Sequence, residues 1–252
     1  MIDPARRFSD RVADYVKYRP RYPQTVVDTV REVCGLTSES AIADIGSGTG
    51  FLSELFLDAG HTVVGVEPNR EMREAGDRLL ARYPAFRSLD ACAEETTLPE
   101  ASVDLAMAGQ SFHWFEPVSA RREWVRILKP GGWVALVWNE RDLRAPLAAA
   151  CDALLRQYAV TDGPVNFGGV GDEGVARFFA PADVTLRTFP HAQRFDRDGL
   201  VGRLLSISHA PLAGHPLHRP FVDGIGALFA AHAVDGRVAF DYVTRLYFGR
   251  LG

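Results

Sequence analysis

Ala41-Ile-Ala-Asp44-Ile-Gly46-Ser-Gly48-Thr-Gly50-Phe-Leu52 passes from an apolar run, through three alternate glycines, into a helical pattern marked by Leu52, Leu55 and Phe56. A run of this length with apolar residues on both sides of the chain suits a strand buried on both faces, the situation of a parallel sheet. The glycines let the backbone turn tightly and approach a ligand, with helix N–H groups facing it. Three glycines weaken a connection that holds nothing, so the turn is read as a cradle. A dinucleotide fingerprint starting at Gly46 needs glycine at position 51, and Phe51 stands there. The Gly-Lys-Ser/Thr ending of a triphosphate loop does not occur. Asp44 lies just before the glycines, and a second acid, Glu67, closes the next apolar run. A carboxylate there can accept from both hydroxyls of a ribose, so the pattern suits a ligand with a ribose and no pyrophosphate.

Working outward, the chain alternates short apolar runs with helical patterns, which signals βαβ units. Strands are expected at 41–45, 62–66, 86–90, 103–108 and 132–138. Asn69 is placed to cap a helix through Met72, Ala75 and Leu79, and a helix over 117–128 should turn Trp124, Val125 and Leu128 inward. After Asn139 the alternation loosens. A helix over 146–158 leads to a glycine-rich stretch, 163–174, read as a mobile loop. Late strands at 184–189 and 238–248 are separated by helical segments near 200–207 and 221–230. Toward the amino terminus, Phe8, Val12, Tyr15 and Val16 follow helical spacing. Pro20 and Pro23 interrupt it, and Val26, Val27, Val30 and Val33 mark a second helix ending at Gly35.

The 252 residues carry 28 basic and 32 acidic side chains, a net charge of −4, with 47% apolar residues. This composition excludes general disorder and argues against a nucleic-acid partner held by a large basic surface. Cys34, Cys92 and Cys151 are far apart and read as reduced thiols. No apolar run reaches membrane-span length and the first residues lack an apolar leader, so a cytoplasmic protein with no membrane partner is expected. His215 and His218 have no neighbouring cysteine or carboxylate cluster, so no metal is expected.

In four stretches the sequence resembles the class I S-adenosyl-L-methionine-dependent methyltransferases. They are Ala43-Asp-Ile-Gly-Ser-Gly-Thr-Gly50, then Val64-Gly-Val-Glu-Pro-Asn69 with Met72, then Ala91-Cys-Ala-Glu94 with Leu98-Pro99 and Ser102-Val-Asp104, and finally Val125-Arg-Ile-Leu-Lys-Pro-Gly-Gly132. The resemblance implies a doubly wound, mostly parallel seven-stranded α/β sheet, Rossmann-like, with its last strand at 238–248 antiparallel. An N-terminal helical cap over 1–38 would precede a core over 39–252, with substrate-side insertions at about 142–181 and 198–236. It also implies that Asp44 and the backbone of Gly46 and Gly48 hold the methionine end of the cofactor, with Ser47 and Gly50 also binding the cofactor. Glu67 would take the ribose hydroxyls, with Pro68 and Met72 beside the adenine region. Cys92, Ala93 and Glu94 would flank the adenine, and Gln110 would join them from the fourth strand. Many relatives carry aspartate where Cys92 stands, so here Glu94 or a backbone acceptor would serve the adenine amino group.

Methyl transfer from a sulfonium is a direct displacement that asks mainly for alignment, and a carboxylate acceptor needs no base. Phe112-His113-Trp114 follows the fourth strand, at the sheet edge where ligands bind in open α/β folds. His113 is the candidate base; the alternative is that His113 and Trp114 pack the next helix. The same triplet resembles a subset of the family that includes trans-aconitate methyltransferase-like proteins, as does the cap pattern of Tyr15, Tyr18, Arg19, Arg21 and Tyr22. Those residues, with Trp114, Trp138 and Arg141, are the substrate candidates, the arginines suiting an anionic small molecule. A lid that closes over the cofactor is the functional reading of the cap, and a solvated charged face the alternative. The expected function is methyl transfer to a small-molecule acceptor. A nicotinamide-dependent oxidoreductase and a non-catalytic cofactor-binding regulator are the rivals.

Overall fold

The computed structural model describes residues 16–160 and 170–252. The helix expected through Phe8, Val12 and Tyr15 lies outside the described residues. The described residues divide into two compact units, one of residues 21–138, 170–189 and 244–252, the other of residues 16–20, 139–160 and 190–243.

The first unit is built on the βαβ alternation. Strands β1 (Ala41–Ile45), β2 (Thr62–Val66), β3 (Phe86–Leu89), β4 (Val103–Gly109), β5 (Leu128–Arg141), β6 (Val184–Phe195) and β7 (Val238–Gly249) form one seven-stranded sheet in the order β3-β2-β1-β4-β5-β7-β6. The pairs β1–β2, β1–β4, β2–β3 and β4–β5 are parallel. Successive residues of a strand face opposite sides, and both sides are covered. Ala43, Ile45 and Ala106 pack into one apolar cluster, whereas Ile42, Val63 and Leu105 pack into another. Helices α1 (Thr25–Cys34), α2 (Phe51–Asp58), α3 (Arg70–Leu80) and α4 (Pro117–Ile127) alternate with the strands. The fold is the mostly parallel, Rossmann-like sheet that the resemblance implied.

Several boundaries follow local chemistry. Gly35 ends α1 in the left-handed conformation, and the Asn69 side chain accepts from Met72 N–H at 2.9 Å at the start of α3. Other expectations need correction. Val125 is 43% exposed rather than inward, because α4 turns Ala120, Trp124 and Ile127 to the core and Val125 falls between those rows. Within the stretch read as a loop, residues 171–174 open a helix, α6 (Gly171–Phe179), whose Val175, Phe178 and Phe179 are buried. Helix α1 buries Val26, Val27 and Val30 in the same apolar cluster as Ile42 and Leu105 of the sheet.

The second unit holds α5 (Pro146–Tyr158), α7 (Arg197–Leu205) and α8 (His218–His232) around an apolar cluster that includes Leu147, Leu204, Phe221 and Phe240. Among the described residues no helix is long and apolar enough to cross a membrane.

Candidate functional site

The turn after β1 is held by backbone hydrogen bonds. Gly46 and Ser47 N–H groups both donate to Val66 O, at 2.8 and 3.1 Å, tying the turn to the end of β2. Gly46 and Gly50 have φ of 67° and 82°, a region that side chains disfavour. A Cβ on Gly46 would lie 2.7 Å from Ser111 Cβ, and one on Gly50 would lie 2.5 Å from Leu80 Cδ1. Glycine is therefore required twice over, by conformation and by space.

Glu67 closes the other side. Its Oε2 accepts from Gly48 N–H and its Oε1 from Asn69 N–H, each at 2.8 Å. Arg73 Nη1 donates to the Glu67 backbone carbonyl and Nη2 to Asp90 Oδ2, each at 2.8 Å. Burial raises the Glu67 pKa, and the two backbone donors oppose that rise. Met72 is buried beside the turn, its Cε 3.3 Å from where a Cβ on Gly48 would sit, whereas Pro68 is exposed. Asp44 is 1% exposed. Ser53 Oγ donates to its Oδ2 at 2.7 Å, while Oδ1 is buried without a hydrogen-bond partner. Burial, with a smaller contribution from the Glu67 charge, pushes the Asp44 pKa up to about 7.

The end of β4 supplies the next residues. Gln110 has φ of 60° and donates its N–H to Val137 O at 2.9 Å. Ser111 Oγ donates to Ile45 O at 2.9 Å, joining β4 to the glycine turn. A short 3₁₀ turn, Phe112–Trp114, buries Phe112 and leaves His113 and Trp114 exposed, their ring centroids 4.8 Å apart. Lost hydration lowers the His113 pKa, a depression limited by the exposure of its ring. Cys92 is half-buried and Ala93 buried; Glu94 Oε1 accepts from Glu116 N–H at 2.7 Å. Trp138 is 7% exposed and packs edge-on to Phe112 and Tyr247, at centroid distances of 6.2 and 5.7 Å.

The remaining substrate candidates divide between the units. Tyr15 lies outside the described residues. Arg21 stacks on Phe51 at 3.7 Å and pairs with Glu54, and Tyr22 packs against Gly109, all in the sheet unit. In the second unit Tyr18 covers Gly202, Arg19 Nη2 donates to Ser206 O at 3.1 Å, and Arg141 Nη2 pairs with Asp152 at 2.5 Å. Sequence reasoning missed Ser53, Arg73 and Ser111. Each acts across a fold contact that no local pattern announces.

Residues 43–136 match a protein-family model described as a methyltransferase domain. An uncharacterized methyltransferase of Schizosaccharomyces pombe is 33% identical over 162 residues, 64% of this chain and 62% of that protein. An uncharacterized methyltransferase of Mycobacterium bovis is 37% identical over 142 residues, 56% of each. The chain thus spans about three fifths of the length of the curated relatives it matches. A solved structure described as a type II methyltransferase of Anaeromyxobacter dehalogenans aligns with a TM-score of 0.70 at 24% identity, covering 93% of this chain and 98% of that one, a likeness of fold. The glycine turn, Asp44 and Glu67 all lie within the stretch that is similar to a methyltransferase domain.

Proposed function

We propose that the chain transfers the methyl group of S-adenosylmethionine to a small-molecule acceptor, with a carboxylate as the acceptor group. The observation that carries the cofactor half is the joined pair of Gly48 and Glu67, beside the unpartnered Asp44 Oδ1. A carboxylate has about four lone-pair positions, and Gly48 and Asn69 occupy two of those on Glu67. The other two serve the ribose hydroxyls, and the existing bonds hold the group in place before ligand arrives. Asp44 takes the cationic methionine end, together with the backbone of Gly46, Ser47, Gly48 and Gly50. Met72 and Pro68 lie toward the adenine, with Cys92, Ala93, Glu94 and Gln110 completing that side. Because Glu94 is already bonded to Glu116 N–H, a backbone acceptor near Cys92 is the better partner for the adenine amino group.

The cofactor supplies an electrophilic methyl carbon on sulfur. This chain's residues need to orient the acceptor and exclude water. An ionised carboxylate arrives ready to attack, which makes a general base unnecessary. His113, exposed on the turn after β4, is therefore proposed for a contact role rather than as a base. The likeness of Phe112-His113-Trp114 to the acid-methylating subset supports the same choice. Trp114, Arg21 and Tyr22, with Trp138, are the acceptor contacts proposed within the sheet unit. Phe51 stands where a dinucleotide turn needs its third glycine, which disfavours the nicotinamide reading.

Calorimetry with S-adenosylhomocysteine and with NAD, followed by incubation with methyl-labelled cofactor and a panel of small acids, amines and phenols, tests the proposal. Binding of the first ligand alone and label in an acid is the expected result. Tight NAD binding would overturn it, and cofactor binding without label transfer would favour the regulator.

A further inference from the structure

Arg203, on α7, is 3% exposed, a burial that a guanidinium tolerates only with good partners. Its guanidinium lies over the Phe240 and Tyr242 rings, 5.8 and 5.6 Å from their centroids, but its hydrogen-bond partners are few. Nε donates to Tyr242 Oη at 2.7 Å, and Nη1 is buried with no hydrogen-bond partner. No ion pair joins Arg203 to a carboxylate among the described residues, and the nearby acid is already shared. Asp152 binds Arg141 Nη2 at 2.5 Å and Arg156 Nε at 2.7 Å, so one negative charge serves two guanidiniums. Arg141 itself keeps a buried Nε without a partner. Both Arg141 and Arg203 lie near enough to Cys151 for their charges to act on its thiol, which burial nonetheless pushes up to about 12, so this thiol stays neutral and balances no charge. Tyr242 is 1% exposed and accepts from Arg203. Its ring is stacked against His191 at 5.3 Å with planes 18° apart, and its own O–H has no acceptor among the described residues. The inventory is one of spare donors: Arg203 Nη1, Arg141 Nε and Tyr242 O–H, in an excess of positive charge.

We infer that Arg203 and Tyr242 form a carboxylate-binding subsite in the second unit, with Arg141 adding positive charge to the same region. A ligand that offers only acceptors and carries negative charge suits the spare donors of Arg203 and Tyr242, which lie side by side. A neutral amide would set its own N–H2 against them. The guanidinium fork, oriented by Tyr242, matches the two oxygens of a carboxylate. Arg203 Nη1 is closed off from solvent in the ligand-free chain, so a local opening accompanies entry. The inference deepens the small-acid reading above and rests on it in taking the ligand to be the acceptor.

The test uses the full chain, glutarate and tricarballylate as probes, and glutaramide and inorganic phosphate as controls, with binding read by calorimetry. Binding of the acids, with glutaramide weaker by at least tenfold and phosphate weaker than either acid, is expected. Tyr242→Phe should weaken acid binding about five- to tenfold, and Arg203→Met by more than about a hundredfold. Arg203→Met should also leave thermal stability unchanged or raise it, since it removes a buried, uncompensated charge. A purely structural arginine would give the opposite, a lower melting temperature with acid binding unaltered, and that result overturns the subsite. Should Arg203→Met not fold, Arg203 is structural and the subsite fails. Unchanged acid binding in Tyr242→Phe also overturns it, as does phosphate binding as tightly as the acids. Turnover separates the two readings. Methylated amines or phenols, with acids inert, would overturn the small-acid reading. Methylated acids with an unchanged KM in both variants would overturn only the subsite.

Discussion

Replacing Asp44 by asparagine should change stability in a direction set by pH. Asp44 is 1% exposed, its Oδ2 takes the Ser53 hydroxyl at 2.7 Å, and its Oδ1 has no partner. Burial first, and the Glu67 charge second, move its pKa from 3.8 to about 7. The folded pKa lies above the unfolded one, so the folded chain holds the extra proton. The contribution of the neutral acid is complete below the unfolded value and is lost as pH climbs through about 7. Above that pH the ionised group costs about 4 kcal/mol relative to a group of ordinary pKa. Asparagine removes the charge at nearly constant volume, but its amide N–H2 is buried without an acceptor, a cost of about 1–3 kcal/mol. The variant should therefore be close to neutral or slightly destabilised at about pH 5, and more stable than the parent by about 1–3 kcal/mol at about pH 8. Urea unfolding of both proteins, without cofactor, measures the difference at each pH. A stability difference that stays flat to within about 0.5 kcal/mol between those conditions would refute the argument, because it would mean that Asp44 is already ionised and solvated at the lower pH. The gain in stability should come with a loss of function. Without the unpartnered carboxylate, cofactor affinity should fall about ten- to a hundredfold, the loss of one charge-assisted hydrogen bond.

Glu67→Ala should weaken S-adenosylhomocysteine binding by about ten- to a hundredfold in calorimetry, with the parent showing no NAD binding; an unchanged affinity would remove Glu67 from the site. His113→Asn should retain cofactor binding and a similar pH–rate profile, and a loss of turnover beyond about 10³-fold in a folded variant would make His113 a catalytic base after all. Gly46→Ala, which combines a left-handed backbone with a contact of 2.7 Å to Ser111, should cost about 2–4 kcal/mol in denaturant unfolding; a loss below about 0.5 kcal/mol would show that the turn relaxes freely.

Local patterns carried the sheet half of the molecule far. The runs at 41–45 and 62–66 are strands with the bounds read from sequence, because a strand buried on both faces must be apolar throughout and its ends show as polar residues or glycine. Asn69 as cap and Gly35 as stop were legible for the same reason, since each answers a need of its own helix end. The Asp44–Gly50 turn and Glu67 stood out as a ligand pattern, and the fold places them together at the ends of adjacent strands. What sequence could not supply depends on partners distant in the chain. Val125 is apolar yet exposed, since the face of α4 that meets the core is set by the strands beneath it. The helix at Gly171–Phe179 hid behind glycines, whose weak helix propensity is overridden by the burial of Val175, Phe178 and Phe179. The state of each charged group was equally invisible. In the sequence Arg203 is one arginine among many, and only the fold buries it against Tyr242 while committing Asp152 to Arg141 and Arg156. A residue's type sets what it can bond, and the tertiary structure decides which of those bonds are left unmade.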